Sequence, residues 1–205
     1  MPYGVPWGWI ETPLVSVPSS LVDGVLIEGR DAKADRARVE FVMLHEFGHL
    51  ASKRYLHPEG PEPYSSVRWF EELLASYFAY AYVQASDPDW ARASREEWRA
   101  VAAGYSPPVL SLDWGFIRGL APAERARTYA WYQVMLNLWA AELYEEHGLD
   151  FLRAVRDRLP WETSTSWTTQ SLLPALEQIA PGSEAQASAL QAVEPAAQPG
   201  TSGGD

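Results

Sequence analysis

Apolar positions along most of the chain recur at helical spacing. Over 32–55, Val39, Val42, Met43 and Leu50 follow that period, and Asp31 stands where a cap would. Three prolines between His57 and Pro63 predict a loop, since they cannot continue a helix. A second helix is predicted from a cap at Ser65 or Ser66 to about 85. Trp69, Phe70, Leu73, Leu74, Tyr77, Phe78 and Tyr80 crowd it so densely that burial over most of its circumference is expected. A more charged third helix opens at Asp87-Pro88 and runs to about 103. After a long loop at 104–121, a fourth helix spans 122–147, with Pro122 in its first turn and Gly148 ending it. A fifth is predicted at 149–159, and one more short helix within 160–180.

The first 30 residues read differently. Pro, Gly and β-branched residues there predict short strands near 6–12, 13–17 and 24–28. The expected fold is therefore α+β and mostly helical. A short antiparallel N-terminal sheet lies beside the first helix, and a C-terminal helical subdomain follows. One domain is expected over 1–180. Residues 181–205 are mostly Ala, Pro, Gly, Ser and Gln without an aromatic, and a disordered tail is expected there.

Composition narrows the chemistry. The 205 residues hold 16 Lys+Arg against 27 Asp+Glu, a net charge of -11, which argues against nucleic-acid binding. No stretch of about 18 apolar residues occurs, so no membrane span is expected. The N-terminus has no basic segment leading into an apolar one, so no signal peptide is expected and the default location is cytoplasmic. Cys is absent, which removes thiolate metal sites and cysteine nucleophiles. A metal would have to be held by carboxylates and by some of only four His.

Residues 45–49 read His-Glu-Phe-Gly-His. In a helix, positions i and i+4 lie on one face, so His45 and His49 can aim both imidazoles at one zinc ion. Glu46 is turned about 100° from His45 and can reach a water beside the metal without ligating it. Gly48 costs about 1 kcal/mol relative to Ala in a helix interior, which points to close approach of another element. A catalytic zinc needs a third protein ligand. His57 is eight residues past His49 and beside a proline, which suits an exposed loop residue better than a ligand. Glu71 and Glu72 are stronger candidates. Each stands in an otherwise apolar, aromatic helix, where a carboxylate is costly unless paired or bound to a cation. They point about 100° apart, so one of them is expected to reach the metal.

His45-Glu46-Phe47-Gly48-His49, followed by Trp69-Phe70-Glu71-Glu72-Leu73-Leu74-Ala75-Ser76-Tyr77, resembles the gluzincin metallopeptidases, particularly their small peptidase MA-like domains. The resemblance spans about 38–159 and is carried by these two motifs. A weaker third stretch runs from Tyr129-Ala130 past Leu143 to Gly148. It implies a zincin active-site helix at 32–55, a Zn2+ cofactor held by His45, His49 and Glu72, and Glu46 as general base. It implies hydrolysis of a peptide or protein substrate. It also implies an oxyanion donor, for which Tyr129 is the better match and Tyr132 the alternative. Two departures stand out. Many members carry Asn before the ligand Glu, and some carry Asp four residues after it; here Glu71 and Ser76 occupy those positions. Ser76 is the candidate to orient a zinc histidine. The different-class alternative is a zinc-binding but catalytically inactive interaction domain. His147 reads as a helix cap, most tryptophans as core, and Trp114 and Trp167 as loop residues able to border a substrate.

Overall fold

A computed structural model describes residues 7–9, 14–16, 32–56, 67–104, 120–159 and 167–190. Its elements are β1 (Trp7–Trp9), β2 (Leu14–Ser16), α1 (Ala32–Leu56), α2 (Arg68–Ser86), α3 (Pro88–Gly104), α4 (Pro122–His147), α5 (Asp150–Arg158), α6 (Thr169–Ile179) and α7 (Ser183–Ala189). Asp31, His57, Ser65, Ser66, Trp114 and the strand expected at 24–28 lie outside the described residues.

The α+β expectation is overturned. The described residues form a helical body with no sheet layer. What pairs near the N-terminus is an antiparallel ribbon of three residues per strand, Trp7 opposite Ser16 and Trp9 opposite Leu14. Such a ribbon cannot bury a face by itself, and stability has to come from helix packing. The tail expectation also changes. Residues 183–189 are helical, and Ala187 and Leu190 are buried in the core. Small residues pack closely there, so low hydrophobicity did not prevent folding.

The body is organised around α2. Phe70, Leu73, Leu74, Tyr77 and Val83 are fully buried along it. Its start is capped by Val67 without a side-chain hydrogen bond, one or two residues after the serines expected to cap it. Trp69 stacks on Trp139 of α4 with ring centroids 5.6 Å apart and planes 10° from parallel. Its indole N–H donates to Thr169 at 3.0 Å, which ties α6 to the same seam. Trp167 is also core rather than a substrate border, at 4% exposure. A second cluster joins α1, α2 and α3 through Phe41 edge-on to Trp98, with centroids 4.8 Å apart.

α4 ends where its glycine requires. Gly148 has φ +53°, a left-handed value that side chains disfavour, and its N–H bonds the Tyr144 carbonyl at 2.7 Å. The phenol of Tyr77 donates to the Gly148 carbonyl, fixing the α4–α5 corner to α2.

Candidate metal centre

The buried stripe of α1 is not the apolar one. Phe41, His45, Gly48, Ser52 and Leu56 are buried at helical spacing, whereas Val42, Met43 and Leu50 are half-buried. The face turned to α2 is thus polar or small at its middle. Gly48 explains how α2 comes so close: a Cβ there would lie 2.3 Å from the Ala75 carbonyl oxygen. The close approach expected from Gly48 is with α2.

This crossing brings three side chains together. Glu72 Oε2 lies 3.0 Å from His45 Nε2 and 3.5 Å from His49 Nε2. One ligand atom from each residue falls within 4.8 Å of the others. The two imidazoles meet edge to face, with centroids 4.8 Å apart. Glu72 is 3% exposed, so its charge sits in the interior beside its two partners. Glu71 is outside the group; its carboxylate lies 3.9 Å from the Arg68 guanidinium.

Arg68 also divides the work of the Glu72 carboxylate. Its Nε donates to Oε1 at 3.2 Å, while Oε2 faces the imidazoles. One oxygen is held in place and the other is presented. Burial acts to raise the Glu72 pKa, but hydrogen bonds from His45 and His49 overcome it and hold the carboxyl far below its usual range. Burial lowers the His45 pKa despite its bond to Glu72. For His49 burial acts downward too, but Glu72, with help from the Glu46 charge, carries the pKa upward.

Glu46 is 6% exposed and close enough for its charge to raise both His49 and the Tyr129 phenol. Burial is the larger cause of the upward shift at Tyr129, followed by Glu72 and Glu46. Tyr132 is more deeply buried in the core, and its phenol is raised by burial and then by Glu72 alone. Of the two tyrosines, Tyr129 is the one that feels both acidic groups. His147 stands away from this centre, in the last turn of α4, 3.9 Å from Glu146.

Behind His45 stands a polar trio. Ser76 Oγ lies 3.2 Å from His45 Nδ1, donates to Asn137 Oδ1 at 2.7 Å, and accepts from Gln133 Nε2 at 3.2 Å. Asn137, Gln133 and Arg68 were not legible as site neighbours. The available signal was two amides four residues apart inside the apolar run at 129–143, because buried amides need partners.

Two imidazole nitrogens and one carboxylate oxygen are a suitable donor set for zinc. A neutral imidazole lone pair aimed at a carboxylate oxygen 3.0 Å away is repulsive unless a proton or a metal ion lies between them. No family model, curated protein or solved structure matches the chain.

Proposed function

We propose that this chain is a zinc-dependent peptidase. The observation that carries the reading is the convergence of His45, His49 and Glu72, with Glu46 buried beside them. His45, His49 and Glu72 hold the ion. Zinc, when bound, acidifies a water and polarises a carbonyl. Glu46 accepts the proton of the attacking water and delivers it to the departing amine. Its burial suits proton transfer in a site that excludes bulk water. Tyr129 stays protonated at neutral pH because burial and two acidic neighbours raise it, so its hydroxyl carries the proton that a donor to the oxyanion needs. The substrate is a peptide or protein.

The test pairs zinc stoichiometry with cleavage of a peptide library by wild type and Glu46→Gln. Wild type should bind one zinc and cleave. Glu46→Gln should keep the zinc and lose about 10²–10⁴-fold in rate, the usual contribution of a general base. Bound zinc with no cleavage by either protein would leave a zinc-binding interaction domain instead. A wild type that binds no zinc would end the metal reading.

A further inference from the structure

Ser76 sits in the middle of α2 and is completely buried. A serine hydroxyl in a helix has a ready partner in the carbonyl one turn back. Ser76 turns elsewhere: its hydrogen bonds go to His45 on α1 and to Asn137 and Gln133 on α4. The hydroxyl has one proton to give. Its shortest contact, 2.7 Å to the Asn137 amide oxygen, takes that proton. The contacts at 3.2 Å must then be accepted by Ser76, one from the Gln133 amide and one from His45 Nδ1–H.

We infer that Asn137, acting through Ser76, is a positioning device that fixes the His45 tautomer, with the proton on Nδ1 and the Nε2 lone pair turned to the ion. This rests on the zinc reading above. Gln133 holds the hydroxyl from a second side. The device spans three helices, so α4 sets the orientation of a ligand on α1 although it contributes no ligand itself. Asn137 and Ser76 are protected from water that would compete for these bonds; Asn137 is 7% exposed and Ser76 not at all. A hydroxyl–amide pair here fills the place where a carboxylate would otherwise orient a metal-bound imidazole.

The experiment uses the full chain and two readouts. Zinc affinity is measured by chelator competition for wild type, Ser76→Ala, Asn137→Leu and Asn137→Asp. Ser76→Ala and Asn137→Leu should bind zinc about 10–100-fold more weakly, the usual effect of losing such a partner. Asn137→Asp keeps an acceptor for the Ser76 proton and should retain most of the affinity. The second readout is the nitrogen spectrum of histidine-labelled, zinc-loaded wild type, in which His45 should carry a proton on Nδ1. This measurement needs no variant to fold. A His45 without an Nδ1 proton overturns the inference. So does zinc binding by Ser76→Ala and Asn137→Leu as tight as wild type, which would leave the zinc reading standing. Failure of wild type to bind zinc would overturn both.

Discussion

Gly48→Ala separates close packing from helix propensity. In a helix interior Ala is favoured over Gly by about 1 kcal/mol, so propensity alone makes the variant more stable. The crossing with α2 says otherwise. The new Cβ would meet the Ala75 carbonyl oxygen at 2.3 Å and the Ala75 carbonyl carbon and Cα at 2.9 Å, where ordinary contact begins at 3.4 Å. Relief requires α2 to retreat by about 1 Å, the difference between 3.4 and 2.3 Å, because the obstacle is backbone and cannot rotate away. Overpacking costs about 1–3 kcal/mol, and a backbone obstacle belongs at the upper end, leaving a net loss of about 2 kcal/mol. In a body of this size that lowers the melting temperature by about 4–8 °C. The same retreat carries Glu72 away from the His pair by several times the roughly 0.2 Å that a zinc site tolerates, so zinc affinity should fall as well. Thermal melts of metal-free protein, followed by circular dichroism, read the first effect, and chelator competition reads the second. A variant that melts at or above wild type and binds zinc equally well would refute the reasoning.

Two further outcomes follow from the same geometry. Glu72→Ala should abolish zinc binding, while Glu71→Ala should leave it nearly intact, since Glu71 lies outside the His45–His49–Glu72 group; zinc loss from Glu71→Ala alone would reverse the assignment. Alkaline stability should depend on Tyr80, whose phenol is pushed up to about 12 by burial and by its hydrogen bond to Glu145. The unfolded value is about 10, so the stability this phenol contributes is complete below about pH 10 and is lost as pH rises through about 12. The stability gap between wild type and Tyr80→Phe in denaturant titrations should therefore narrow above about pH 10, and a constant gap across that range would contradict it.

The helices were legible because their ends carry strong punctuation. Pro88, Pro122 and Gly148 stand within a residue of observed boundaries. The N-terminal sheet was misjudged because Pro, Gly and β-branched residues announce turns and short extended pieces without showing whether enough strands exist to make a layer. The face of α1 that packs on α2 was not legible from periodicity. Val42, Met43 and Leu50 have the right period, but the neighbour of α1 is a helix carrying Glu72 and Ser76. Periodicity measures hydrophobicity, whereas that seam is made of imidazoles and a glycine. The His pair was legible because two ligands share one helix turn. The trio behind it was not, because hydrogen bonds between residues 31 and 61 positions apart leave no local pattern.

The contact between His45 and Glu72 also bears on the unfolded chain. It joins residues 27 positions apart in a sequence without cysteine. An ion shared across it closes that segment into a loop and removes open conformations from the denatured ensemble. The chain-entropy relation for a cross-link of this length gives about 3.5 kcal/mol. On that reckoning the proposed zinc would staple α1 to α2, and stripping it would loosen the pair as reduction loosens a disulfide.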